Sequence, residues 1–161
     1  MRFLYLSICI VFLVACNQKE DPVARMEKQI DSLSKHIESN YSPGLGEFMV
    51  SIQLHHSKLW FAGKNGNWEL ANFELGEIQE SLDDINRYNK DRPEIKELPM
   101  IDSPLDSLKS AVIKKDLEAF KRSYILLTNT CNNCHQVTKH GFNKIKIPDS
   151  PPVTDQVFDS P

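Results

Sequence analysis

Cys131-Asn132-Asn133-Cys134-His135 sets two thiols two residues apart with an imidazole directly after. No other stretch of this chain is so well placed to do chemistry. Four readings are open: a redox dithiol, half of a zinc site, the covalent anchor and axial ligand of a c-type haem, or a structural pair without chemistry. The element that carries the residues separates these readings.

That element reads as a long helix, capped by Asp116, running to about His140 and ended by Gly141. At 100° per residue, Leu117, Phe120, Tyr124, Leu127 and Cys131 share one face. His135 and Thr138 continue that face and Cys134 lies at its edge. The thiols and the imidazole are therefore expected to point inward. A reactive dithiol sits at the start of a helix, where the dipole lowers the thiol pKa, but this pair falls in the last turns. Zinc needs four ligands, and Cys131, Cys134, His135 and His140 are available. Adjacent positions 134 and 135, however, diverge by about 100° on a helix. For haem the spacing has a direct meaning: two thiols add across vinyl groups as thioethers, and the next histidine reaches the iron.

The N-terminus sets the compartment. MRFLYLSICIVFLVAC has one arginine, an apolar run from Phe3 to Ala15, then Cys16. The run is too short to span a bilayer and fits a secretory leader. Leu13-Val14-Ala15-Cys16 resembles the bacterial lipobox, which implies cleavage before Cys16 and lipid on its sulfur and amine. An ordinary signal peptide or an uncleaved anchor is the alternative. Cys9 lies in the leader, so Cys131 and Cys134 would be the only free thiols of the exported chain. Covalent haem attachment occurs outside the cytoplasm, so export and hook agree. Asn17, where an inner-membrane retention signal would have aspartate, and Lys19-Glu20-Asp21, similar to a surface-export signature, bear weakly on which membrane holds the chain; a solvated linker explains them equally. The expected location is the bacterial cell envelope, on its periplasmic or surface side.

The rest of the chain must position the hook. Its 161 residues suit one principal domain, and 40% hydrophobic with 25% charged residues fits a globular protein. Net charge is −3, and no basic run suggests nucleic acid. Val23, Met26, Ile30, Leu33 and Ile37 form a narrow seam on a helix starting near Asp21-Pro22. Ser42-Pro43 signals a second helix to about Gly63, and Asn67 caps a third ending before Arg92-Pro93. Asp91 to Ser103, with Pro93 and Pro99, reads as a loop, and Ser103-Pro104 starts a short helix to about Ile113. From Ile147 the chain is proline-rich and extended, either loose or packed through Val153, Val157 and Phe158.

The fold class is all-α: an antiparallel four-helix bundle with an extra N-terminal helix and an extended tail. Its segments are a leader at 1–15, a lipid-linked spacer at 16–41, a haem domain at 42–146 and a tail at 147–161. The stretch AVIKKDLEAFKRSYILLTNTCNNCH resembles the last connection and helix of the cytochrome c′ family. The likeness is specific over about residues 104–140 and architectural before that. It implies that Cys131 and Cys134 bind one covalent haem c and that His135 is the proximal ligand. Lys139 is the nearest counterpart to that family's basic residue after the hook.

The second helix raises the question of the other axial ligand. Leu45, Phe48, Met49, Ile52, Leu59, Trp60 and Gly63 form its apolar face, with His56 in the middle and His55 toward an edge. A histidine on an apolar face is either a hydrogen-bonded core residue or an iron ligand. His56 is the first choice for a distal ligand, His55 the second, and Met49 the thioether alternative. Trp60 and Trp68 are expected in the core or flanking the haem. Gly63 either admits a close neighbour or stops the helix. Val50, Leu54 and Phe61 make a patch for the first helix or a second subunit to cover, and the resemblance allows a homodimer.

Two axial ligands would suit electron transfer with an unidentified redox partner, and one would leave a site for a small gas. A non-haem envelope lipoprotein is the third class. No nucleophile with a base and orienter is visible, nor paired carboxylates in a hydrolytic setting, so enzyme activity is not expected.

Overall fold

The computed structural model describes residues 21–41 and 43–160. The leader, Cys16 with its expected lipid, and Ser42 lie outside the described residues. Internal contacts divide the chain into two units, Met1–Ser42 and Pro43–Pro161.

The described part of the first unit is α1, Pro22–Asn40. It begins where the sequence predicts, because the Asp21 carboxylate accepts from the Val23 N–H at 3.0 Å and Pro22 needs no partner. Its seam of Val23, Met26, Ile30, Leu33 and Ile37 is exposed.

The second unit holds α2 (Leu45–Lys64), α3 (Trp68–Tyr88), a 3₁₀ segment (Pro93–Ile101), α4 (Asp102–Ile113) and α5 (Leu117–Val137). Every regular element among the described residues is helical. The most extensive packing is of α2 on α3 and of α4 on α5, with α5 also meeting the 3₁₀ segment and α2.

Local chemistry sets the boundaries. α2 begins two residues after Pro43 because Glu47 accepts from the Gly44 N–H, making Gly44 the cap. The Asn65–Asn67 turn forms as expected: Gly66 takes φ +74° and Asn67 caps α3 by accepting from the Leu70 N–H at 3.1 Å. The predicted loop from Asp91 to Ser103 is instead ordered as the 3₁₀ segment, which runs directly into α4. Pro93 and Pro99 deny it a regular α-helical ladder, while burial of Leu98 and Ile101 holds it against the core.

The end of α5 also differs from expectation. The helix stops at Val137, short of His140, and Lys139 rather than Gly141 supplies the left-handed residue, at φ +65°. The His140 N–H reaches the His135 carbonyl and the Lys139 N–H reaches that of Gln136, the paired bonds of a Schellman ending. The same ending closes α4, with Lys115 at φ +55° and the Asp116 N–H on the Ala111 carbonyl.

Leu59, Ile85, Leu108, Phe120, Tyr124 and Leu127 form the deepest core. Gly63 lies where a neighbour must come close: a Cβ there would stand 2.1 Å from Cζ of Phe120. Trp60 packs on Tyr124 with ring centroids 4.8 Å apart, and Trp68 meets Phe120 edge-on at 5.9 Å. The tail is docked. Phe158 is buried against Phe61, and Asn65 and Asn67 donate to the Asp159 side chain and carbonyl at 3.0 and 2.9 Å. Phe61 is thus covered by the chain's own tail, while Val50, Leu54 and Val157 stay exposed. No helix among the described residues is long and apolar enough to cross a membrane.

Candidate functional site

Asp116 starts α5 by accepting from the Ala119 N–H at 2.9 Å, and the buried face of Phe120, Tyr124 and Leu127 fixes the helix's rotation. One turn beyond Leu127 that face delivers Cys131, and the next turn Cys134 and His135. All three line one cavity of about 320 Å³. Met49, Ile52, Ile78, Leu82, Ile101 and Leu127 supply its apolar wall, with His56, Gln53 and Asn143 as polar members. Four separate elements (α2, α3, the 3₁₀ segment and α5) and the loop after α5 therefore converge on the hook.

Both cysteines are free thiols. Burial is the main cause that pushes the Cys131 thiol up to about 12, and it raises Cys134 as well. Such thiols are held protonated at neutral pH, the reverse of an activated dithiol. Among the described residues no three His, Cys, Asp or Glu side chains come together as a metal-holding group, so the four candidate zinc ligands are not assembled. His140 instead donates from Nδ1 to the Thr138 carbonyl at 2.8 Å.

His135 has a defined tautomer. Its Nδ1 lies 2.6 Å from the Asn143 carbonyl oxygen, an atom that can only accept, so Nδ1 carries the hydrogen. In the neutral ring Nε2 is then the nitrogen with the free lone pair, as an axial ligand requires.

His56 is buried and fully engaged. Its Nε2 is 2.9 Å from Thr128 Oγ1 and its Nδ1 is 3.0 Å from the Tyr124 hydroxyl. Thr128 gives its single hydroxyl hydrogen to the Tyr124 carbonyl at 2.9 Å, so Oγ1 accepts from His56 Nε2–H. Nδ1 is then the acceptor side of the ring, and the Tyr124 hydroxyl shares its one hydrogen between Nδ1 and the His56 carbonyl, 2.8 Å away. The Tyr124 ring stacks on the imidazole at 4.4 Å. Burial holds His56 neutral, lowering its pKa to about 4, and burial likewise raises Tyr124. Iron ligation by His56 would require one of these bonds to open.

His55 lies outside the cavity wall. Its Nδ1 donates to Oε2 of the fully buried Glu74 at 2.6 Å, and its Nε2 stands 3.9 Å from Glu77. The other Glu74 oxygen is buried with no hydrogen-bond partner among the described residues. Met49 lines the cavity, and Lys139 serves as the helix terminator.

Sequence reasoning did not single out Thr128, Asn143 or Glu74. Glu74 had a readable signal: it falls within the α3 stripe of Ala71, Leu75, Ile78, Leu82 and Ile85, all buried. Thr128 also had one, four residues past Tyr124 and beside Leu127 on an inward face. Asn143 acts through its backbone, so its side-chain type carried none. Comparison of the chain with protein-family profiles, curated proteins and solved structures finds no match.

The residues present fit a c-type haem. An apolar cavity within the size range of small-molecule sites is bordered by two free thiols and by a histidine whose tautomer leaves Nε2 available.

Proposed function

We propose that this chain is an exported, lipid-anchored c-type cytochrome of cytochrome c′-like, four-helix-bundle architecture. It carries one covalent haem and works in electron transfer at the bacterial cell envelope. The observation that carries the reading is that Cys131, Cys134 and His135 border a single, largely apolar cavity.

In this reading Cys131 and Cys134 would hold the haem as thioethers, each adding its S–H across one vinyl group. Sulfur bonds to one carbon and the hydrogen goes to its neighbour, so no oxidant is consumed. His135 would ligate iron through Nε2, with Nδ1–H kept on the Asn143 carbonyl, which holds the ring and raises its basicity. Met49, Ile52, Ile78, Leu82 and Leu127 exclude water and keep the local dielectric low. When bound, the haem supplies a one-electron Fe(III)/Fe(II) couple. Cys16, outside the described residues, would hold the protein at the membrane. This reading gives no described residue a catalytic role and makes the redox partner a separate protein.

A second reading, a haem protein that binds or scavenges a small gas, is favoured by one observation. Both ring nitrogens of His56 are committed to Thr128 and Tyr124, so His56 would not be free to ligate a haem iron and a small molecule could bind there instead.

The test is the absorption spectrum of the chain exported in a host with cytochrome maturation, reduced with and without carbon monoxide. Sharp reduced bands unmoved by the gas support the electron carrier. Bands that shift with the gas select the second reading. A spectrum without haem bands ends both.

A further inference from the structure

The first spacer residue of the hook, Asn132, is bonded in both directions to a residue thirteen positions later. Its Nδ2 donates to the Ile145 carbonyl at 2.8 Å, and its Oδ1 accepts from the Ile145 N–H at 2.7 Å. A side-chain amide that satisfies both backbone groups of one residue fixes that residue's position and orientation together. The clamp returns the loop after α5 onto the helix. Two residues earlier in the same loop stands Asn143, whose carbonyl takes the His135 Nδ1 hydrogen at 2.6 Å. The loop is braced at its other side by the Asn143 N–H on the His140 carbonyl at 2.8 Å. Asn143 is itself exposed, and with Ile145 it borders the cavity.

We propose that Asn132 is a positioning residue for the axial histidine. It holds Ile145, Ile145 holds the loop, and the loop keeps the Asn143 carbonyl on His135 Nδ1–H. The consequence is one fixed tautomer, and a more basic Nε2 than an imidazole facing solvent would have. A more basic ligand favours the ferric state, so the clamp lowers the reduction potential. The inference rests on the haem reading for its redox consequence, but the clamp also acts in the chain without haem.

Two measurements separate the failure of either part. In the full chain carrying Cys131→Ser and Cys134→Ser, which cannot take covalent haem, the ¹⁵N shifts of His135 report its tautomer. The Nδ1–H form dominates while Asn132 is present, and Asn132→Ala gives a mixture of both neutral forms. In the matured chain, Asn132→Ala moves the ferric/ferrous equilibrium toward ferrous by roughly ten-fold, about 59 mV upward for a one-electron couple. The exposed neighbour, Asn133→Ala, leaves both readouts at the wild-type value. Should Asn132→Ala fail to fold, Asn132→Ser removes the amide that bridges both Ile145 backbone groups without adding charge and shifts both readouts in the same direction. An unchanged His135 tautomer in the haem-free variant overturns the clamp. An unchanged potential in a fully haem-loaded variant overturns its redox role. Absence of haem from the wild-type chain removes the reading on which that role rests and leaves the tautomer result standing.

Discussion

His56 and Thr128, 72 positions apart in the chain, meet at 2.9 Å inside the core, with the histidine donating from Nε2. That bond and the partner bond to Tyr124 turn a polar residue on an apolar helix face into a satisfied one. Thr128→Val keeps the shape but leaves the Nε2–H buried without an acceptor. The expected loss is about 1–3 kcal/mol of stability. Urea unfolding of the matured protein measures it, and a change below about 0.5 kcal/mol would show that the bond is not maintained in solution.

The neutral state of His56 gives a pH dependence with a definite sign. Its folded pKa, about 4, lies below the unfolded value of 6.5. The unfolded chain therefore binds the extra proton first. The stabilising contribution is fully present above pH 6.5 and is lost as pH falls toward 4, by up to about 3 kcal/mol across that window. Unfolding midpoints at pH 7, 5.5 and 4.5 should fall more steeply for the wild type than for His56→Gln, which has no proton to gain. Parallel slopes would contradict this account.

His55 makes a different contribution. Removing it leaves the fully buried Glu74 carboxyl without its hydrogen-bond partner among the described residues, and breaking a buried pair from one side costs about 3–5 kcal/mol. His55→Ala is expected to lower stability by that order while leaving the haem spectrum unchanged, because His55 does not border the cavity. An altered spin state in a fully folded His55→Ala protein would place His55 among the ligands instead.

Gly63 tests the packing directly. A methyl group there would collide with the Phe120 ring, so Gly63→Ala forces α2 and α5 apart or drives Phe120 from its rotamer. A loss of at least about 1–3 kcal/mol is expected. Pairing it with Phe120→Leu should recover part of the loss, since the smaller side chain vacates the contested space. Denaturant midpoints of the two singles and the double variant measure that coupling, and simple additivity would show that the contact is not the cause.

Sequence patterning was enough to place the five described α-helices, apart from some of their ends, and to turn Cys131, Cys134 and His135 toward the interior. The inward face from Leu117 to Cys131 follows from a 3.6-residue period, and Asp21, Asn67 and Asp116 each cap the helix they precede. The 3₁₀ segment was not legible, because two prolines signal a loop while the burial of Leu98 and Ile101 depends on tertiary packing. The end of α5 was missed for a related reason: Lys139 adopts the left-handed conformation that glycine was expected to take. In the site, a histidine at position 56 was visible, but its state was not. Whether an imidazole is free to ligate depends on partners 68 and 72 positions away. The docking of the tail likewise depends on Phe61 and the 65–67 turn, which no local pattern links to Phe158 and Asp159.

The central claim is that Cys131 and Cys134 hold a haem covalently. Its most direct test is a denaturing gel stained for haem, loaded with the matured wild-type chain beside the Cys131→Ser, Cys134→Ser variant. The account predicts a stained band at the mass of the wild-type chain and none for the variant. An unstained wild-type band, or equal staining in both lanes, would contradict it.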